Sequence, residues 1–237
     1  MPKLIEFSPA LVIFDKDGTL IDFHAMWGGW IAEVGERLEA TTKLPVRDRL
    51  FAVMKFDPVS GKVSDGPLAG TTMENIRRLT VKTLHDSGLA TDAVETAMRA
   101  AWRLPDPVAL AQPLADLPML FGKLRQRGAK VAVATIDDRA PTQATFDGLG
   151  VASLIDALVC ADDGLPLKPA PDMILSLCQM LGVTPAQAAM VGDSTQDLQM
   201  ARAAGVGLAV GVSSGVTPAE TLKPLADIVL PSIAELV

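Results

Sequence analysis

Cysteine is scarce in this chain: two among 237 residues, Cys160 and Cys178. Neither stands in a C-x-x-C pair or beside a histidine, which excludes a cysteine metal site and a dithiol redox motif. Two isolated thiols read as buried, unpaired side chains of a protein from a reducing compartment. Positive charge is also in short supply. Twenty-one Lys and Arg face 28 Asp and Glu, for a formal net charge of −7. An acidic field of this kind disfavours nucleic acid and anionic membranes as the principal partner. A small anionic substrate stays open, because one lysine and a metal ion can invert the field locally. No apolar run approaches the roughly 20 residues that cross a bilayer. The first residues, MPKLIEFSPALVIFDKDG, lack the basic region and long apolar stretch of a signal peptide, so a cytoplasmic location is expected. Internal repeats and low-complexity tracts are missing as well.

What is present is ordinary globular material, with 49% hydrophobic and 21% charged residues, enough for one large α/β domain or for one carrying a smaller domain. The apolar block Ala10–Phe14 ends abruptly at Asp15, as a buried strand running into a loop does. From Asp22 to Asp106 the pattern turns helical. Trp27, Ile31, Val34 and Leu38 recur at helical spacing. Thr71 with Glu74 predicts a capping box opening a second helix, and Thr91 an N-cap for a third over Asp92–Trp102. The Gly- and Pro-rich stretch Phe56–Gly70 predicts a long loop or small hairpin.

After Pro113 strands and helices alternate. Helices are predicted at Leu117–Gly128, Arg139–Leu149, Pro171–Leu181 and Leu198–Ala204. Strands are predicted at Lys130–Ile136, Ala157–Cys160, Ala189–Val191, Leu208–Val210 and Asp227–Leu230. Such alternation implies an α/β fold with a doubly wound, mostly parallel sheet and helices on both faces. The helical block becomes an insertion at 22–108, between core segments 1–21 and 109–237.

The sharpest feature is Asp15-Lys16-Asp17-Gly18-Thr19 at the end of the first strand. Ligands of open α/β sheets bind beyond the carboxyl ends of strands. An extended backbone turns Asp15 and Asp17 the same way, and two converging carboxylates repel unless a cation or proton joins them. The bland alternative is an acidic loop capping a helix. Three further segments end predicted strands. Thr135 could donate its hydroxyl to an oxyanion, or be a plain β-branched strand residue. Lys168, between prolines in LPLKPAPD, could neutralise a phosphate, or be a solvated loop lysine. Asp193, in Gly192-Asp193-Ser194 with Asp197 following, could complete an oxygen-ligand Mg²⁺ site, or serve with Ser194 as a helix cap. Taken in chain order, the four segments supply a nucleophile, an acid/base, a hydroxyl, a cation and metal ligands. That set suits phosphoryl transfer, where catalysis is positioning plus charge neutralisation, and carboxylate nucleophiles are known there.

With these residues the chain resembles the haloacid dehalogenase superfamily, and within it the phosphoglycolate-phosphatase-like members with a helical cap. FDKDGTLID is similar to the first motif, Thr135 to the second, Lys168 to the third and GDSTQD to the fourth. The resemblance implies Asp15 as nucleophile and Asp17 as general acid, then base. It implies Mg²⁺ held by the Asp15 side chain, the Asp17 backbone carbonyl and the Asp193 side chain. Thr135 and Lys168 would hold phosphoryl oxygens, with Asp197 supporting the metal or Lys168. The substrate class implied is a small phosphorylated metabolite, with no nucleic acid or membrane partner. Lys16 stands where that family more often has Leu, and is expected to point away from the site. Asp137 and Asp138 are expected to cap a helix. Met73 occupies a position where related sugar phosphomutases carry Arg, which argues against that alternative. Haloacid dehalogenase activity is another alternative, disfavoured because Asp17 and the Mg²⁺ constellation have no use in that chemistry, and a non-enzymatic phosphate-binding regulator is the last. His24, Trp27, Trp30, Arg77 and Arg78 are cleft candidates in the insertion, with the tryptophans as core and the arginines as a solvated face on the competing reading.

Overall fold

The computed structural model describes residues 7–236, so the first six residues of the expected core segment 1–21, and Val237, lie outside it. Strand β1, Leu11–Phe14, is buried along its whole length. It has no polar face because it lies in the middle of a sheet covered on both sides. Beyond Phe23 the chain enters a second unit, His24–Asp106, and returns to the first at Pro107.

The second unit is helical. A π-helical turn at His24–Gly28 leads into α1, Gly29–Thr42, followed by α2, Arg47–Met54. A two-stranded antiparallel hairpin follows, β2 Phe56–Asp57 and β3 Lys62–Val63, then the short helix α3, Pro67–Gly70. The unit is completed by α4, Met73–Asp86, and α5, Thr91–Ala101. Two cap expectations need correction. Thr72, not Thr71, caps α4 by accepting from Asn75 N, while Thr71 Oγ1 accepts from the Asn75 side chain. Thr91 is already helical, with Ala90 in the cap position and no side-chain cap. The core is aromatic: Trp30 meets Trp27 and Trp102 edge to face at 5.6 and 5.2 Å, and its indole donates to Arg103 O at 2.6 Å. The buried Trp30 ring thus keeps a partner for its polar N–H.

The first unit resumes with α6, Leu117–Gln126, β4, Lys130–Ala134, and α7, Arg139–Gly148. Then come β5, Ala157–Val159, α8, Asp172–Leu181, and β6, Ala188–Gly192. The last elements are α9, Thr195–Ala204, β7, Leu208–Val212, the short α10, Ala219–Leu222, and β8, Ile228–Leu230. The six strands form one parallel sheet in the order β5-β4-β1-β6-β7-β8. One face packs Leu11, Ile13, Ala132 and Met190 against Met173, Ile174 and Leu177 of α8 and Leu198 of α9. On the other side Phe14 meets Phe121 of α6, ring centroids 5.7 Å apart. Small alanines in β4 and β6 let these helices approach the sheet closely.

The sheet grows outward in both directions from the first strand, through β4 on one side and β6 on the other. That reversal of strand order leaves a crevice at the carboxyl ends of β4, β1 and β6.

Candidate active site

Asp15 directly follows β1, and its N–H donates to Val191 O of β6 at 2.9 Å, which carries strand register into the loop. Phe14 lies opposite Val133 of β4 and Val191 of β6. Thr135 and Asp193, each two residues beyond those partners, therefore emerge at the same end of the sheet as Asp15 and Asp17. The loop after Asp15 closes tightly. Lys16 O accepts from Leu20 N and Ile21 N, and Gly18 N donates to Ile21 O. Gly18 has φ +85°, a conformation that a side chain disfavours.

Around Asp15 the structure assembles a buried ionic cluster. Lys168 Nζ donates to Asp15 Oδ1 and to Asp197 Oδ1, both at 2.6 Å. Leu165 and Leu167 pack against the sheet core and anchor the loop that carries Lys168. Asp197 is held in turn by a reciprocal cap at the start of α9: its Oδ2 accepts from Ser194 N and Oγ, and its own N–H donates to Ser194 Oγ. The cap expected of Asp193 and Ser194 is made instead by Ser194 with Asp197, whose other oxygen pairs with Lys168. Asp193 accepts from Thr19 Oγ1 at 3.4 Å and from Val216 N at 3.1 Å.

The electrostatics follow from burial. It pushes the Asp15 carboxyl up to about 6, helped by the charge of Asp197 and opposed by Lys168. Burial, then the charges of Asp15 and Asp197, also raise Asp193 well above the ordinary carboxylate range. Lys168 is raised despite burial because two carboxylates face it. Carboxylate oxygens of Asp15, Asp193 and Asp197 lie within 4.8 Å of one another. Three buried carboxyls facing a single lysine leave an excess of negative charge that a divalent cation would relieve. An all-oxygen donor set suits a hard cation, so the residues fit a divalent metal of that kind.

Lys16 does not point away from the site. Its ammonium is buried and pairs with Asp17 Oδ2 at 2.7 Å and Asp137 Oδ2 at 2.8 Å. Its four-carbon stem is long and flexible enough to bring the ammonium back to the carboxylate next to it in sequence. Burial pushes the Asp17 carboxyl up to about 7, with Asp137 and Asp15 adding to the shift and Lys16 opposing it. Asp137 is therefore an ion-pair partner, and its N–H donates to Thr135 Oγ1 at 3.2 Å. Asp138 occupies the cap position of α7 without a side-chain cap bond.

Two contributions to the site were not expected from the motifs. The loop after β7 folds back under the site: Ser214 Oγ donates to Gly18 O at 2.8 Å, and Val216 N reaches Asp193. Gly215 lies so close that a Cβ there would come within 1.8 Å of Asp193 Oδ2. Its signal was the one that exposed Asp15, a short apolar run ending in a polar, Gly-containing cluster, here Ser213-Ser214-Gly215. Thr19 is the second: it stands in the first motif, but its bond to Asp193 Oδ1 was not expected.

The insertion candidates divide. Trp27 and Trp30 are core, Arg77 and Arg78 are exposed on α4, and His24 Nδ1 accepts from Val63 N within its own unit. Cys160 and Cys178 are both free and buried, and burial pushes the Cys160 thiol up to about 12. Among the described residues no helix is long and apolar enough to cross a membrane.

Comparison with known proteins follows the same lines. The family model for haloacid dehalogenase-like hydrolases matches residues 9–205. A phosphoglycolate phosphatase of Rhodospirillum rubrum is 34% identical over 208 residues, 85% of this chain and 79% of that protein. Among solved structures, a predicted phosphoglycolate phosphatase from Haemophilus somnus superposes with a TM-score of 0.70 at 18% identity, over 97% of this chain and 96% of that one. A β-phosphoglucomutase from Clostridium difficile gives 0.63 at 15% identity, over 97% and 93%. The two structures speak for the fold alone, which phosphatase and mutase share.

Proposed function

The chain belongs to the haloacid dehalogenase-like hydrolases, and from that premise we propose that it is a Mg²⁺-dependent phosphatase of small phosphomonoesters working through an aspartyl-phosphate. The observation that carries this reading is the Asp15 carboxylate, set at the point where strand order reverses and bonded by a buried lysine at 2.6 Å. Asp15 is the nucleophile. Mg²⁺ would be held by the Asp15 side chain, the Asp193 side chain and the Asp17 backbone carbonyl. When bound, that ion supplies the positive charge that lets an anionic carboxylate approach an anionic phosphoryl group.

The remaining steps fall to the chain's own groups. Lys168, fixed by Asp197, and Thr135, whose hydroxyl oxygen already accepts a backbone N–H, hold the phosphoryl oxygens. Asp15 Oδ attacks phosphorus while Asp17 gives a proton to the departing oxygen. A carboxyl pushed up to about 7 retains that proton near neutral pH. Asp17 then accepts a proton from the water that opens the acyl phosphate, and Asp15 is regenerated. The substrate proposed is a small phosphorylated metabolite of the phosphoglycolate kind, by analogy with the R. rubrum relative. The unit His24–Asp106 is proposed as the family's helical cap, and the cytoplasm as the compartment.

The test uses p-nitrophenyl phosphate with Mg²⁺ and after exhaustive chelation. Activity should vanish on chelation and return with Mg²⁺. Asp15→Asn should lose turnover and form no phosphate adduct. Asp17→Asn should fall by about 10²–10⁴-fold while accumulating an adduct on the Asp15 peptide by mass spectrometry, because this activated leaving group needs little protonation. An adduct on Asp15→Asn, or wild-type turnover by Asp17→Asn, would refute the assignment of roles.

A further inference from the structure

Lys16 is a lysine enclosed almost completely by protein, 1% exposed, in a place where an apolar side chain would avoid the cost of desolvating an ammonium. Replacing buried ion pairs by apolar residues is often neutral or stabilising. Fold stability is therefore a weak reason for this residue. The geometry offers a stronger one. Lys16 Nζ sits between Asp17 Oδ2 at 2.7 Å and Asp137 Oδ2 at 2.8 Å. Asp137 belongs to the loop after β4, where its N–H also holds the Thr135 hydroxyl oxygen at 3.2 Å. The lysine thus ties the carboxylate of the β1 loop to a rigid point on the neighbouring strand end.

What it leaves untied matters equally. The other oxygen, Asp17 Oδ1, is buried and has no hydrogen-bond partner in the protein. The carboxylates nearby differ in this respect. Both oxygens of Asp197 are taken, by Lys168 and by Ser194. Both oxygens of Asp193 accept, from Thr19 and Val216. A carboxylate pinned at one oxygen, with the other shielded from bulk water, has its free oxygen fixed in direction before substrate arrives. Preorganisation of that kind bears directly on rate, since misplacement by about 1 Å can cost about 10²-fold.

We propose that Lys16, braced by Asp137, is a positioning residue that orients Asp17 so that Oδ1 is presented for proton transfer. It touches neither phosphate nor leaving group and acts only through Asp17. The inference rests on the acid–base role given to Asp17 above.

The experiment is a double-mutant cycle. Lys16→Met and Asp137→Ala are made alone and in the Asp17→Asn background, and Lys16→Arg is made alone. Each is assayed with Mg²⁺ on p-nitrophenyl phosphate and on glycerol phosphate, an unactivated ester. Lys16→Met should lower kcat for glycerol phosphate by about 10–100-fold with KM changed less than twofold, and lower it less for p-nitrophenyl phosphate. Asp137→Ala should show the same pattern at smaller size, and Lys16→Arg should recover part of the loss. In the Asp17→Asn background both substitutions should be silent. If Lys16→Met unfolds, seen as a lost melting transition, Asp137→Ala and Lys16→Arg carry the cycle. Losses that multiply with Asp17→Asn, a rise in KM at constant kcat, or wild-type rates in the folded variants overturn the proposal. Wild-type turnover by Asp17→Asn alone instead removes the acid–base reading beneath it, so the two failures are told apart.

Discussion

At the scale of single residues, the site is a set of charges that make sense only together. Asp15 is held near 6 because burial and Asp197 outweigh the pull of Lys168. A carboxyl raised in the folded state binds its proton more tightly there than in the unfolded chain. Between about pH 4 and pH 6 its contribution to the stability of the metal-free protein therefore falls as pH rises. Mg²⁺ must displace that proton, so the metal should stabilise more as pH climbs through 6. Differential scanning fluorimetry should show a small Mg²⁺-induced rise in Tm at pH 5 and the full rise at pH 7.5, and equal rises at both would contradict the metal assignment. Lys168 gives a second prediction. It compensates two carboxylates, and removing one partner of a buried pair typically costs about 3–5 kcal/mol. Lys168→Met should lower stability on that order without metal, read by chemical denaturation. It should also abolish turnover, and recovery of wild-type rate at saturating Mg²⁺ would show that the lysine serves charge balance alone.

At the scale of elements, loops placed by strand ends decide the geometry. The β1 loop needs glycine at position 18, where φ is +85°. The loop after β7 needs glycine at 215 for a different reason, a close approach in which a Cβ would lie 1.8 Å from Asp193 Oδ2. Gly215→Ala should push Asp193 out of position while leaving α9 and the sheet intact. Affinity for Mg²⁺ should fall by about 10–100-fold, the range seen when groups supporting a metal ligand are changed. Titration of activity against Mg²⁺ would measure it, and an unchanged midpoint would mean that Asp193 can relax without loss. The elements α6, α8 and the six sheet strands were legible as elements, but their ends moved by up to two residues: the strand expected at Lys130–Ile136 ends at Ala134, and the one expected at Leu208–Val210 runs to Val212. Ends shifted by a residue where two threonines compete for one cap, as Thr71 and Thr72 do, because either hydroxyl can satisfy a free N–H at the helix start.

At the scale of the whole molecule, every residue of the proposed chemistry belongs to the first unit. The chain leaves and re-enters that unit through paired segments: Asp22 N donates to Gln112 O at 2.8 Å and Leu114 N to Leu20 O at 2.9 Å. Excising 24–106 and closing the gap with a short Gly-Ser linker should leave a cooperatively melting core that Mg²⁺ still stabilises. A core that fails to melt cooperatively would show that the two units fold only together. The amino-acid sequence by itself determined the parallel α/β core and the four strand-end segments, because apolar runs, helix periodicity and charged strand ends are local in the chain. It also placed Asp15, Asp17, Thr135 and Asp193 just beyond strand ends, and Lys168 in the loop between β5 and α8. Only the tertiary structure decided that Lys16 turns inward to Asp17 and Asp137, that Asp197 divides its oxygens between a lysine and a helix cap, and that Gly215 sits against Asp193. The longest of these contacts joins residues 121 positions apart, Lys16 and Asp137, and all are fixed by how neighbouring strands align and by the desolvation cost that forces each buried charge to find a partner.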